Sequence, residues 1–283
     1  MRHDFTSRLK RKALLSALVL SPTVAQAADF DSFGPAATEL VAIETSKPDL
    51  IFEFGLGVGT APIYPGSTEY GMTVNPIIRV ERLNIPGLID IGGEKSAGGL
   101  RFGPSFAVQG ERISSDHEQL LGLDDVDTTY EVGGRVGYEF IFSDVLSTEL
   151  YGQARYAFGG AEGLVGEVGL DATARLTPQL EVVGGVYASM AGEDYVDTYF
   201  GVTAPEAIAS GGRLDAYDPG AGVTAVGVKL AARYELFSDT FFNASAEYSR
   251  LVADAADSPV VQLGTENQFV VGVGLSRRFS FNY

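Results

Sequence analysis

The residues best suited to binding chemistry lie in one long polar stretch, residues 192–222. Large aromatic side chains alternate there with carboxylates, a mixture that suits carbohydrate, cationic or protein ligands. We predict a ligand- or partner-binding surface formed by Asp194, Tyr195, Asp197, Tyr199, Phe200, Tyr217 and Asp218. An alternative is that the same aromatics only pack the loop onto itself.

The sequence offers little for catalysis or metal binding. Once a leader is removed, the one histidine left is His117, inside a polar loop at residues 114–119, and the chain has no cysteine. Clustered carboxylates such as Asp124, Asp125 and Asp127, or the pair Asp254 and Asp257, are chemically able to bind calcium, but neither loop has EF-hand spacing. We therefore predict no enzyme activity, no cofactor and no metal.

The elements that position these residues are strands with a two-residue period. In the final segment one face is apolar and the other is small or polar. The apolar face holds Phe269, Val271, Val273, Leu275, Phe279, Phe281 and Tyr283; the other holds Gly272, Gly274, Ser276, Arg278 and Ser280. The same alternation recurs between residues 52 and 248. A strand with lipid on one side and a lumen on the other has this pattern.

A soluble β-sandwich shows the same alternation, so the composition of the polar face decides between the two folds. Here that face carries acids and bases at matched depths, which a crowded lumen needs for neutralisation. These residues are Glu131, Arg135, Glu149, Arg155, Glu167, Arg175, Arg233 and Glu235. Aromatics also cluster at strand ends, as interfacial girdles do. We predict an all-β, transmembrane, antiparallel, up-and-down barrel spanning residues 49–283.

Connection lengths give the topology. Residues 143–144, 177–179 and 238–240 form tight turns, whereas 112–127, 192–222 and 253–266 are long and polar. Short turns face the periplasm and long loops face outside in such barrels, and residues 205–210 could close the outer mouth as a lid. The strand number should be even, from ten to twelve. Residues 72–92 give ten strands in total if they form one long strand, and twelve if they break at Pro86-Gly87 into extra short strands. We favour twelve.

The start of the chain indicates export to the outer membrane of a Gram-negative cell. Basic residues, an apolar run and an A-x-A site predict a signal peptide over residues 1–27, cleaved after Ala27. Its removal leaves 15 basic and 36 acidic residues, a net charge of −21, which argues against nucleic acid. Residues 28–48 are acidic and unpatterned, and we predict a poorly ordered periplasmic segment.

Several ordered motifs occur at consistent spacing, at residues 64–67, 121–127, 159–165, 193–211, 216–218, 251–260 and 267–269. Together they resemble the MipA/OmpV (MltA-interacting protein) family of outer-membrane proteins. The resemblance covers roughly residues 50–283. Two positions depart from the family pattern: Tyr283 stands where the family usually ends on Phe, and Arg277 occupies an outward position where an aromatic is common.

The resemblance implies a scaffold that bridges a murein transglycosylase and a penicillin-binding protein at the outer membrane. Further partners would be outer-membrane lipid and, during insertion, the barrel-assembly machinery. Murein enzymes would reach only the short turns or residues 28–48. A small-solute channel and a surface adhesin or ligand-binding barrel are the alternatives. The long charged lumen side chains weigh against an open channel.

Overall fold

A computed structural model describes residues 48–92 and 98–282, with backbone alone at 89–92. The predictions for the signal peptide, for residues 28–47 and for Tyr283 lie outside these residues. The described strands are β1 (Leu50–Pro62), β2 (Tyr70–Ile85), β3 (Ile89–Gly92), β4 (Gly99–Gln109), β5 (Thr129–Ser143), β6 (Leu146–Gly159), β7 (Gly163–Arg175), β8 (Leu180–Ala191), β9 (Gly222–Phe237), β10 (Thr240–Leu251) and β11 (Asn267–Phe281).

Among the described residues, helices occur only in the connections between strands. They are α1 (Glu193–Phe200), α2 (Ala204–Ala209), α3 (Ala253–Asp257) and α4 (Pro259–Gln262), together with 3-10 turns at Ser114–Asp116 and Glu118–Leu120. None of these helices has the length and apolar character needed to cross a membrane.

The strands form one antiparallel sheet in the order β3-β2-β1-β11-β10-β9-β8-β7-β6-β5-β4. β1 pairs with β11, and the edge strand β4 lies beside β2 and β3 at the other end of the sheet order. The sheet is therefore a nearly closed up-and-down barrel, which confirms the predicted fold class. The break at Pro86-Gly87 is present and creates β3. Because β3 has four residues, the described chain holds ten long strands and one short one. The favoured count of twelve is not reached.

The two faces of the sheet carry the predicted residues. Phe54, Leu56 and Val58 of β1 are about half exposed on the outside, whereas Glu53 between them is fully buried inside. The same alternation follows β11, where Val271, Val273 and Leu275 point outward. An apolar outer surface around a polar interior is the arrangement that a bilayer stabilises.

Glycine allows β1 and β11 to approach closely on the lumen side. Gly57 lies opposite Gly274, and Gly59 lies opposite Gly272. A Cβ placed on Gly274 would lie 2.7 Å from Gly57 Cα and 2.8 Å from Leu56 O, both backbone atoms that cannot rotate away. The pairing that joins the two ends of the chain therefore depends on the absence of side chains here.

Gly274→Val should destabilise the barrel by about 1–3 kcal/mol, because the new side chain must push the two backbones apart. The control is Gly184→Val on the outer face of β8, where an added Cβ meets no atom within 4 Å. Urea titration in liposomes, read from the heat-modifiable gel band, measures both. Equal midpoints for the two variants would contradict the predicted crowding.

Candidate functional site

The connections at one end of the barrel pack together into a cap. We define the cap as residues 63–69, 110–128, 160–162, 192–221 and 252–266. Two buried clusters hold the cap together and extend into the adjoining strand ends. The first is Val126, Ala161, Ala191, Val196, Tyr199, Phe200, Ala225, Leu251, Ala255 and Val261; the second is Tyr64, Leu120, Leu123, Val202, Leu214 and Val260. A shared apolar interior of this kind makes the loops one packed unit across the barrel mouth.

The predicted aromatic residues of the 192–222 stretch contribute to the interior of the cap. Tyr199 and Phe200 are 0 % and 2 % exposed. The Tyr199 hydroxyl donates to Thr129 Oγ1 over 2.7 Å, and the Tyr195 hydroxyl donates to Glu131 over 3.0 Å. Burial, reinforced by the charge of Glu131, raises the pKa of Tyr195 well above its ordinary value. These contacts fix α1 against the inner wall of β5.

The predicted acidic residues lie on the outside of the cap. Asp194, Asp197 and Asp218 are exposed. Partial burial and then the charges of Asp218 and neighbouring acids raise the pKa of Asp197 above its ordinary value. Tyr217 is half-buried, and its hydroxyl donates to Asp254 O over 2.9 Å. The structure thus separates the seven residues into a buried aromatic part and an exposed acidic part, and their binding role stays a prediction.

Residues 204–209, which overlap the predicted lid segment, form α2, a helix with a capping box. Thr203 Oγ1 accepts from the Glu206 N–H, and the Glu206 carboxylate accepts from the Thr203 N–H over 2.8 Å. Glu206 also accepts from the Asp124 N–H over 2.9 Å, which ties α2 to residues 110–128. One carboxylate therefore both starts the helix and attaches it to the next loop.

Arg112 is a cap residue that the sequence analysis did not single out. Its side chain is buried, with Nη1 donating to Tyr199 O over 3.3 Å and Nη2 to Asp124 O over 3.4 Å. Burial lowers the pKa of Arg112. Because both partners are backbone carbonyls in other parts of the cap, no sequence pattern could have shown this role.

Ion pairs cross the lumen below the cap. Arg79 of β2 lies 3.1 Å from Glu181 of β8. Four strands, β1, β11, β10 and β9, separate β2 from β8 along the sheet, so this ion pair spans the barrel. Arg233 of β9 lies 2.6 Å from Glu53 of β1 and 3.0 Å from Glu81 of β2. Side chains from distant strands therefore meet in the middle and obstruct the axis.

The other half of the lumen holds a second network. Arg135 lies 3.1 Å from Glu149 and 2.9 Å from Asp171, and Lys229 lies 3.1 Å from the same aspartate. The Tyr151 ring packs 3.5 Å from the Arg135 guanidinium carbon. Of the eight lumen residues predicted from the sequence, seven take part in ion pairs; Glu235 instead accepts from the Asp239 N–H over 3.0 Å.

A cavity of about 200 Å³ remains between the networks and the wall. Its polar lining comes from Asn75, Asn243, Ser245 and the Arg79–Glu181 pair, and its apolar lining from small residues and Ile77. This space is large enough for a small ligand.

A model of the family described as MltA-interacting protein MipA matches residues 54–279. The chain belongs to this MipA family. The match spans most of the barrel and confirms the family suggested by the sequence motifs. No curated protein is similar enough to match.

Solved outer-membrane barrels resemble this MipA-family chain in fold alone. The COG4313 outer-membrane channel from Pseudomonas putida F1 is 11% identical, with 82% of this chain and 96% of that chain covered and a TM-score of 0.46. The DcaP channel of Acinetobacter baumannii is 11% identical, with 83% and 98% covered and a TM-score of 0.37. The OmpT protease of Escherichia coli is 11% identical, with 82% and 97% covered and a TM-score of 0.37.

Three residues that could serve metal binding or catalysis, Asp125, Asp254 and His117, have local partners in the cap of this MipA-family chain. Asp125 accepts from the Ser114 N–H over 2.7 Å, and Asp254 accepts from the Gly220 N–H over 2.9 Å. His117 Nδ1 lies 3.3 Å from Glu69. Within residues 48–92 and 98–282 no group of three or more His, Cys, Asp or Glu side chains is placed to hold a metal.

Protonation of Glu206 should loosen the cap. Burial raises the pKa of Glu206, but hydrogen bonds from Asp124 and Thr203 outweigh it and leave the pKa below the usual 4.5. The stabilisation is therefore present above pH 4.5 and is lost as the pH falls through the lowered pKa. NMR amide shifts of Asp124 and Thr203 should move together, with a midpoint below 4.5.

The control is Glu206→Gln, which keeps an acceptor oxygen but does not titrate. Its Asp124 and Thr203 amide shifts should lack the transition. A midpoint at or above 4.5 in the wild type, or the same transition in Glu206→Gln, would contradict the assigned role.

Proposed function

We propose that this outer-membrane barrel is a non-enzymatic scaffold of the cell envelope associated with the murein-synthesising and murein-hydrolysing machinery. The observation that carries the proposal is the obstructed lumen: cross-barrel ion pairs fill its centre and the packed cap covers one mouth. A barrel without an axial path acts through its surfaces.

The ion pairs oppose a channel function on energetic grounds. Breaking the contact between Arg233 and Glu53 would leave a buried carboxylate without its charged partner, because Glu53 is 0 % exposed. Separating one partner from a buried pair costs about 3–5 kcal/mol. Opening a path along the axis would require several such separations together with displacement of the cap.

The partner surface of the scaffold is the end opposite the cap. The family description names an MltA-interacting protein, and a murein transglycosylase works in the periplasm, where the short turns of outer-membrane barrels lie. Phe142, Val145, Leu176 and Phe237 at these turns are 66%, 55%, 62% and 74% exposed. Apolar side chains at this edge suit contact with headgroups or with a docked protein.

Two other roles are each supported by a separate structural observation. The cavity of about 200 Å³ supports the binding of a small solute. The exposed carboxylates Asp194, Asp197 and Asp218, with Tyr217 beside them, support an outward binding surface for a cationic or carbohydrate ligand. Both roles are compatible with a scaffold at the opposite end.

Purified protein in planar bilayers should show no steady openings of porin size. Replacing residues 193–219 with a short linker, combined with Arg79→Ala and Glu181→Ala, should produce openings because both the cap and one cross-barrel contact are removed. The control combines the same linker with Arg250→Ala and Glu266→Ala, an ion pair at 2.5 Å outside the lumen. Large steady openings in the wild type would contradict the sealed lumen.

The partner assignment has its own test. Folded protein, checked by heat-modifiable mobility, is immobilised and exposed to a purified murein transglycosylase and a bifunctional penicillin-binding protein. We expect retention of the transglycosylase, reduced at least about tenfold by Phe142→Ser with Phe237→Ser. Absence of retention on a correctly folded sample would contradict the scaffold.

A further inference from the structure

The barrel wall has one seam without backbone hydrogen bonds. We define the seam as the facing edges of residues 72–80 in β2 and 100–108 in β4. These strands lie side by side, with some Cα atoms within 8 Å of each other. Among the described residues, however, β2 pairs only with β1 and with the short β3, and β4 pairs only with β5.

Proline marks both sides of this seam. Pro76 lies inside β2 and Pro104 lies inside β4, and the other described strands have no internal proline. Proline lacks the N–H that a ladder needs, so within sheets it is confined to edge strands and bulges. The two prolines also hinder pairing with an added strand. The sequence itself therefore keeps this seam from closing along its length.

Side-chain hydrogen bonds hold the seam together at its cap end. At the cap, Gln109 Nε2 donates to Ile63 O over 3.2 Å and the Tyr64 hydroxyl donates to Gln119 over 3.3 Å. At the opposite end, β3 pairs with β2 from Arg82 to Ile85 and has Cα atoms within 8 Å of β4. The unpaired edges of β2 and β4 thus extend from the cap to β3.

The lumen cavity lies directly behind β2. Asn75, Ile77 and Arg79, which face inward from this strand, line the cavity of about 200 Å³. That volume equals roughly six or seven water molecules at ~30 Å³ each. The cavity is therefore one strand away from an edge that has no hydrogen bonds to separate it from lipid.

Arg79 and Glu181 line the cavity and belong to a larger series of ion pairs. A continuous series of ion pairs runs Arg79, Glu181, Arg175, Glu139, Arg101, so that three arginines share two glutamates. Arg79 is 44% exposed and, among the described residues, its side chain makes one hydrogen bond, to Glu181. Its remaining N–H groups can bind an acidic group.

We propose that the seam is a lateral portal for a small amphiphile with an acidic head group. The head group binds in the cavity beside Arg79 and Asn75, and the hydrocarbon tail passes between β2 and β4 into the bilayer. This site needs neither an axial pore nor a murein partner, so it goes beyond the scaffold role.

Tryptophan fluorescence tests the portal, because the chain has no tryptophan of its own. Gly103→Trp places the indole on the lumen face of β4 beside the seam, where an added Cβ meets no atom within 4 Å. Phe102→Trp, one residue away, faces lipid, and Val183→Trp faces the lumen on β8. All three are reconstituted in bilayers with brominated acyl chains.

We expect bromolipid to quench Gly103→Trp by at least half as much as Phe102→Trp, and Val183→Trp by much less. Adding Pro76→Val and Pro104→Val restores two N–H groups to the seam and should reduce the quenching of Gly103→Trp at least twofold. Quenching of Gly103→Trp no greater than that of Val183→Trp, with folding shown by heat-modifiable mobility, would overturn the portal.

Decanoate binding tests the head-group site. Wild-type protein in a nonionic detergent should bind decanoate, and Arg79→Gln should bind it about tenfold or more weakly, since a charge-assisted contact is lost. Arg250→Gln, on the outer face of β10, is the matched control and should bind as the wild type does. Equal affinities for the wild type and Arg79→Gln, or preference for decyltrimethylammonium over decanoate, would overturn the site.

Discussion

Backbone hydrogen bonding in a medium without water is the constraint on which this structure depends. A strand inside a bilayer must pair its N–H and C=O groups with neighbouring strands. The continuous register from β4 through β11 and β1 to β2 satisfies this requirement over most of the wall. The glycines that allow β1 to approach β11 closely contribute to the same backbone pairing. Within the described strands, internal prolines occur only in β2 and β4, at the two edges where pairing stops and a missing N–H removes no ladder hydrogen bond.

The interior follows from the narrowness of the barrel. Long charged side chains enclosed by ten long strands have little water, so each charge requires an opposite charge within contact distance. Arg233 and Arg135 each contact two carboxylates for this reason. The cap adds a small protein-like core above these networks. The barrel is therefore obstructed along its axis, and its surfaces and the seam remain available for binding.

The sequence predicted the features that depend on a two-residue period, because lipid selects one face of every strand. Thus Phe54, Leu56 and Val58 point outward as expected. The sequence pattern could not predict β3, because four residues are too few to show a two-residue period. Nor could it give the partners of Arg79 or Arg112, which depend on how distant strands and loops meet. In the 192–222 stretch, the helical spacing of Val196, Tyr199 and Phe200 was a usable signal for a buried face of α1, and the interleaved acids concealed it.

The barrel depends on the orientation of its strand faces, and single spin labels along β9 measure that orientation. Cysteine-free protein allows one labelled site at a time, from residue 226 to residue 232. In bilayers, collision rates with oxygen should alternate with a period of two, high at 226, 228, 230 and 232 and low between them. High rates at 227, 229 and 231, or no alternation, would contradict a lipid-facing apolar side and the barrel built on it.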